Sequence, residues 1–173
     1  MLPPVWFGVI GLAACGDSAS RVAKTDAPTS APDDSVAAWA WGIDSLADSS
    51  HAREFKFPAR SLEGGVGHVY QLPDSSVRID VEDFRETGRS LERFYARGAT
   101  LRLAVKIDER YDQPMSGNVV KTNSDSTWFE SDSVIQWRDS LGVVRVRPDS
   151  VLAAHGRELL AEYAWAVRMI GRP

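Results

Sequence analysis

Cysteine is almost absent from this chain of 173 residues, which has a single one, Cys15. One cysteine cannot form a disulfide within the chain or provide the paired thiolates of a zinc site. Histidine is also scarce, and His51, His68 and His155 do not have the short spacings of a metal site. We therefore predict no metal and no cofactor. A net charge of −4 argues against the basic surface of a nucleic-acid-binding protein, so no nucleic-acid partner is expected.

Long hydrophobic runs are missing as well. The apolar run Val5 to Ala14 has only ten residues, whereas a membrane-spanning helix needs roughly 20. A run of this length followed by small residues is typical of a secretory signal. Such signals usually begin with Lys or Arg, and residues 1–14 contain no charged side chain. We predict a signal peptide over residues 1–14.

The segment Leu12-Ala13-Ala14-Cys15 resembles the bacterial lipobox. In lipoproteins a Leu and two small residues are recognised by the signal peptidase, and the cysteine thiol receives diacylglycerol. The resemblance implies cleavage before Cys15, acylation of the new amino terminus and anchoring to a membrane through this lipid. The location would be the periplasmic or cell-surface side, with the inner and outer membranes both open. The alternative is a buried structural cysteine beside an apolar N-terminal strand.

The residues after Cys15 divide into a linker and a domain. Residues 15–33 are rich in Ser, Ala, Asp, Thr and Pro and have almost no large apolar side chain. Such a composition cannot offset its ordering entropy, so we predict a flexible tether. Residues 34–173 are long enough for a single domain with its own core.

The domain begins and ends with amphipathic patterns. Asp33, Asp34 and Ser35 can cap a helix in which Val36, Trp39, Ile43 and Leu46 form one apolar stripe. A C-terminal helix follows Asp149, its predicted N-cap, and ends near Gly171. Its apolar face is formed by Leu152, His155, Leu159, Tyr163, Ala166 and Ile170.

Between the helices the apolar period changes to two. Val77, Ile79 and Val81 alternate with polar residues, as do Leu101, Leu103, Val105 and Ile107, which predicts antiparallel strands with one face on a core. An aromatic residue, a polar turn and an aliphatic strand recur three times, starting at Tyr70, Tyr95 and Phe129, which indicates hairpins in series. We predict an α+β fold: an antiparallel meander of six to eight strands, with an N-terminal and a C-terminal helix packed on it.

With these elements in place, the chain resembles a group of uncharacterised bacterial lipoproteins that have a lipobox, a polar linker and an aromatic β-hairpin meander. The resemblance implies architecture and location, and no known reaction. In the hairpin turns, Asp74-Ser75, Arg97-Gly98 and Ser131-Asp132 replace the Asp/Asn-Gly pair usual in that group. The matching segments are Leu12 to Cys15, Glu63-Gly64-Gly65, Glu86-Thr87-Gly88-Arg89, Phe94-Tyr95, Tyr111-Asp112-Gln113-Pro114, Trp128-Phe129 and Ile135-Gln136-Trp137.

Residues that could carry catalysis do not form a recognisable motif. The Gly-x-Ser-x-Gly elbow of hydrolases and Gly-rich phosphate loops are absent. Paired carboxylates could serve a glycosidase if correctly spaced. The favoured interpretation is a solvated outer face whose acids pair with basic residues across strands. The acids are Asp80, Glu82, Asp83, Asp108 and Glu109, and the bases are Arg78, Arg93, Arg102 and Lys106.

Of the six tryptophans, Trp6 lies in the predicted signal peptide and five belong to the domain. Trp39, Trp137 and Trp165 fall on predicted core stripes, whereas Trp41 and Trp128 are candidates for an exposed contact. The leading hypothesis is a non-enzymatic, membrane-anchored envelope lipoprotein whose sheet binds another envelope protein. An envelope hydrolase with an unrecognised site and a carrier of a small apolar ligand are the alternatives.

Overall fold

Eight antiparallel strands and two helices form residues 34–57 and 62–171, the part of the chain that the computed structural model describes. Helix α1 spans Asp34–Asp48 and helix α2 spans Ser150–Ile170. Neither helix combines the length and the apolar character needed to cross a membrane. The strands are β1 (Arg53–Phe55), β2 (Gly65–Gln71), β3 (Ser76–Arg85), β4 (Gly88–Arg97), β5 (Thr100–Tyr111), β6 (Val119–Glu130), β7 (Ser133–Arg138) and β8 (Val144–Val146).

The strands form one sheet in the order of the sequence, β1 to β8, and each pairs antiparallel with the next. The α+β meander is therefore confirmed, with eight strands. The predicted hairpins are β2–β3, β4–β5 and β6–β7. In the last of these turns Ser131 and Asp132 both have positive φ, 48° and 60°. Tight primed hairpin turns require this backbone, which Asn-Gly adopts most readily.

Each face of the sheet carries a helix. Helix α1 places Ala40 and Ile43 against Tyr95, Leu103 and Trp128 on one face, which we call the α1 face. Helix α2 covers the opposite face, the α2 face. There it packs its own Leu152, Leu159, Ala166 and Met169 against Phe55, Phe57, Val69, Ile79, Val81, Phe94, Leu101, Ala104, Phe129 and Val134.

The expectation of strands with only one face on a core is wrong. Neighbouring residues Phe94 and Tyr95 are both buried and lie in the α2-face and α1-face clusters, respectively. Trp128 and Phe129 repeat this arrangement on β6. Two adjacent large apolar residues on a strand point to opposite faces, so both faces need cover.

Helix α2 matches its prediction more closely than helix α1 does. Asp149 is the N-cap, and its carboxylate accepts hydrogen bonds from the N–H groups of Val151 and Leu152 at 2.8 and 2.9 Å. In α1, Leu46 is exposed and Ala47 is buried instead. The α1 stripe thus keeps Val36, Trp39 and Ile43, and the smaller Ala47 takes the place of Leu46.

Strand β5 contains a bulge that changes which face its residues reach. Tyr95 pairs with Leu103, whereas the next residue, Ala96, pairs with Leu101, so Arg102 has no partner across the ladder. One extra residue reverses the alternation on its far side. Leu101 and Leu103 accordingly lie in clusters on opposite faces, although the sequence places them on one.

Because α2 lies close to β7, we expect alanine substitutions at two helical glycines to change the free energy of unfolding in opposite directions. A Cβ added at Gly156 would lie 2.6 Å from Cβ of Val134, whereas one at Gly42 in α1 meets nothing within 4 Å. Gly156→Ala should therefore lower the free energy of unfolding by about 1–3 kcal/mol. Gly42→Ala should raise it by up to about 1 kcal/mol through helix propensity alone.

Urea denaturation of both variants measures these changes. Stabilisation by Gly156→Ala would show that α2 does not pack on β7 as described.

Candidate functional site

The predicted lipidation site lies outside the described residues. This applies to Cys15, to the recognition residues Leu12, Ala13 and Ala14, and to the predicted segments 1–14 and 15–33. Their roles stay predictions from the sequence.

The two tryptophans proposed as an exposed contact do not share a surface. Trp41 on α1 is 77% exposed, whereas Trp128 on β6 is only 8% exposed and packs beneath α1. Arg138 also stacks over the Trp128 ring, with Cζ 5.8 Å from the centroid. Trp128 therefore belongs to the core. Trp39, Trp137 and Trp165 pack against the two core clusters as predicted.

A buried cluster of ionised side chains lies between α1 and the sheet. Arg78 is 5% exposed and binds Asp80 through two hydrogen bonds, from Nε at 2.9 Å and from Nη2 at 2.6 Å. Arg93, which faces Asp80 across the β3–β4 ladder, donates to the same carboxylate at 3.2 Å. From α1, Asp44 accepts hydrogen bonds from Arg78 at 3.1 Å and from the Tyr95 hydroxyl at 2.9 Å.

The protonation states in this cluster follow from its pairing. Burial disfavours the charged guanidinium of Arg78, but the hydrogen bonds and charge of Asp80 outweigh it, so the pKa of Arg78 rises. Burial raises the pKa of Tyr95, against the opposing effect of Arg93, and the hydroxyl stays protonated as a donor to Asp44. Arg78 and Tyr95 therefore both stay protonated near neutral pH. The arrangement is suited to fixing α1 on the sheet.

Most other candidate acids are also bound to basic residues. Arg89 joins Glu82 at 2.8 Å and Glu109 at 2.6 Å on the α1 face. The predicted pairing of acids with bases across strands is thus present. Its placement on a solvated outer face is wrong for Arg78 and Asp80, because α1 covers them. Two further pairs are looser: Arg85 lies 3.7 Å from Asp108, and Lys106 lies 3.9 Å from Glu92.

The histidines occupy different parts of the structure. His155 on α2 stacks on Trp137, with ring centroids 4.2 Å apart, and its Nε2 lies 3.0 Å from the Thr127 hydroxyl. Burial lowers the pKa of His155, an effect that Lys106 reinforces and that Asp125 and Glu158 oppose. His51 is exposed, and His68 lies on β2 opposite Asp80. Within residues 34–57 and 62–171, no three His, Cys, Asp or Glu side chains form a group that could hold a metal.

The two edges of the sheet differ in chemistry. Strand β1 exposes the charged residues Arg53 and Glu54, and Arg53 donates to the Ile170 carbonyl at the end of α2 at 3.2 Å. Charged side chains are a common means of keeping an edge strand from pairing. Strand β8 pairs only with β7 within the described residues. Four apolar side chains on β8 or just before it are 44% to 88% exposed. We call them the β8 surface: Leu141, Val143, Val144 and Val146.

A structured turn holds the most exposed of these side chains, Leu141, in place. The Asp139 carboxylate accepts hydrogen bonds from the N–H groups of Leu141 and Val143, both at 2.9 Å. The Gly142 N–H closes the turn onto the Asp139 carbonyl, also at 2.9 Å. A large apolar side chain is thus displayed on a fixed backbone next to an open strand edge. Both features favour binding of an extended peptide segment.

Comparisons of the chain with protein-family models, with curated proteins and with solved structures gave no match in any of the three. The resemblance to lipoproteins therefore stays a prediction. The β8 surface was not predictable from the sequence, because Leu141 to Val146 is too short for a clear alternation. The sequence contains one sign of this surface. Asp139 is followed by turn-forming residues and by Leu141, which matches no predicted core stripe.

The buried cluster predicts unequal costs for two similar substitutions on β3. Asp80→Asn removes the charge that balances Arg78 and Arg93, so it should lower the free energy of unfolding by about 3 kcal/mol or more. Glu82→Gln, the control, alters a more exposed pair with Arg89 and should cost below about 1 kcal/mol. Chemical denaturation measures both, and equal losses would contradict the structural role of the cluster.

Burial of His155 predicts a pH dependence of stability. Because its folded pKa lies below the ordinary value of 6.5, the unfolded chain binds the proton more readily. The contribution of His155 to the free energy of unfolding should therefore be fully present above pH 6.5. It should be lost as the pH drops from there towards the folded pKa. His155→Gln should reduce this dependence of the free energy of unfolding on pH. His51→Gln, at an exposed position, should leave the dependence unchanged. A slope unaffected by His155→Gln would contradict the assignment.

Proposed function

We propose that this protein is a cell-envelope lipoprotein, anchored by lipid on Cys15, that acts as a non-enzymatic interaction module. The β8 surface would bind an extended segment of another envelope protein by adding a strand to the sheet. The membrane anchor follows from the lipobox-like segment Leu12 to Cys15 and from the polar residues after it. A tether of this composition would hold the domain away from the membrane and leave its surface accessible.

The observation that carries the interaction role is the rigid display of Leu141 beside the open edge of β8. An unpaired strand edge offers backbone donors and acceptors to any extended chain that comes alongside. Exposed apolar side chains at Val144 and Val146 would add side-chain contacts to this backbone pairing. The short β8 strand fits a partner segment of only a few residues.

Two structural features make the alternatives weaker. Asp80, Glu82 and Glu109 form ion pairs with arginines at 2.6 to 3.2 Å, so each of these carboxylates already has a structural partner. The layer between the sheet and α2 is filled by apolar side chains from both, which opposes a carrier that would hold an apolar ligand there. An interaction role requires neither a free acid nor a cavity.

Crosslinking in the native host, with captured proteins identified by mass spectrometry, tests the proposal. Leu141→Lys should abolish capture of a discrete envelope partner, because it places a charge on the β8 surface. Leu62→Lys is the matched control, since Leu62 is a highly exposed leucine like Leu141 but lies before β2, away from β8. Cys15→Ser should release the protein from the membrane fraction and lose the partner.

Each outcome bears on one part of the proposal. Partner capture that survives Leu141→Lys would contradict the role of the β8 surface. A Cys15→Ser protein that stays with the membrane would contradict the lipid anchor.

A further inference from the structure

A cleft of about 280 Å³ lies between the start of α1 and the β4–β5 hairpin, away from the β8 surface. The residues that line it are of two kinds. Val36 and Trp39 from α1 form an apolar wall, and Arg97 and Arg102 from the hairpin provide two cations; Ser35, in the first turn of α1, completes the lining. Apolar walls with a few charged groups are the usual composition of small-molecule sites.

Arg102 reaches this cleft because of the bulge in β5. With regular alternation Arg102 would share the α2 face with Ala104, whose partner Phe94 lies in that core. The extra residue turns Arg102 to the α1 face instead. Bulges often re-aim a side chain beside a functional site. Here the bulge brings a second guanidinium next to Arg97 and α1.

Arg102 differs from its neighbours in having no anionic partner among the described residues. The arginines of β3 and β4 (Arg78, Arg85, Arg89, Arg93 and Arg97) each have a carboxylate within 4.0 Å. Arg102 is half-buried, and its guanidinium forms no hydrogen bond or ion pair with another described residue. A partly desolvated cation without a counter-charge is unfavourable until an anion binds.

The rest of the cleft is fixed by contacts that leave room for such an anion. The Trp39 indole N–H donates to the Ser76 hydroxyl at 3.2 Å, which sets the orientation of the ring. Arg97 stacks over that ring with Cζ 5.2 Å from the centroid. Its only carboxylate neighbour within the described residues is Asp74, at 3.9 Å and half exposed, so Arg97 retains donors for a ligand.

We infer that this cleft binds a small organic anion, with a carboxylate or phosphate group held by Arg102 and Arg97 and an apolar part against Trp39 and Val36. Guanidinium groups recognise both kinds of oxyanion through paired hydrogen bonds. A soluble metabolite and the headgroup of an anionic lipid present this chemistry. The inference is independent of the β8 surface and of the lipid on Cys15.

Calorimetric titration of the purified protein with phenyl phosphate, and sedimentation with vesicles containing phosphatidylglycerol, test the inference. Arg102→Gln should weaken binding about tenfold or more, because it removes the unpaired guanidinium. Arg102→Lys should recover part of the affinity through its charge. Arg110→Gln is the matched control, since Arg110 is an exposed arginine on the same strand. Thermal unfolding should be similar for all four proteins, because neither Arg102 nor Arg110 forms an ion pair with another described residue.

The two probes distinguish the sources of the anion. Arg102-dependent binding of phenyl phosphate supports a soluble ligand, and Arg102-dependent binding of vesicles alone supports a lipid headgroup. The inference is overturned if neither probe binds. It is also overturned if Arg102→Gln and Arg110→Gln weaken binding to the same extent.

Discussion

A sheet whose two faces are both apolar can be stable in water only if both are covered, and this constraint determines the rest of the structure. Helix α2 covers one face with a broad apolar stripe that needs no further help. Helix α1 buries fewer residues against the sheet, chiefly Ala40 and Ile43, with Val36 and Trp39 only partly buried beside them. The ion cluster around Arg78 compensates by linking α1 to β3 and β4 through the carboxylate of Asp44. Acids that might have suggested catalysis are thereby engaged in holding a helix.

Covering the faces leaves the edges as the places where the sheet can interact. A meander that does not close has two edge strands, each with unpaired backbone groups. At β1 the edge is charged and tied to the end of α2 through Arg53. At β8 it is flanked by exposed valines and by Leu141 on a turn that Asp139 organises. Proteins commonly protect such edges, so an apolar edge that is left open favours a partner strand in that place.

Much of the fold was predictable because local signals agreed with the final structure. Hairpin spacing, polar turns and the Asp149 cap are local features, and the meander and α2 follow from them. The bulge at Arg102 was not predictable, because alternation of Leu101 and Leu103 is identical with and without it. Burial of Arg78 and Asp80 depends on where α1 docks, which no local pattern contains. Consecutive aromatic residues at Phe94 and Tyr95 were the available sign that both faces are covered.

The candidate sites also divide into features that a local sequence pattern predicts and features that depend on the packing of distant segments. The predicted lipid anchor at Cys15 rests on a short sequence motif and stays a prediction. The β8 surface and the cleft at Arg102 depend on exposure and on register, which arise only when distant segments pack together. Trp128 illustrates this difficulty. Its neighbour Phe129 lies in the core on the α2 face, whereas Trp128 is buried on the opposite face, where α1 packs.

The most direct test of the interaction role is a photocrosslinking amino acid placed at Val144 in the full-length protein in its native host. The same amino acid at Val120, an exposed valine on β6, provides the background. The account predicts a discrete adduct from Val144 that is absent from Val120 and that contains an extended segment of another envelope protein. Equal, diffuse labelling from both positions would contradict strand addition at β8.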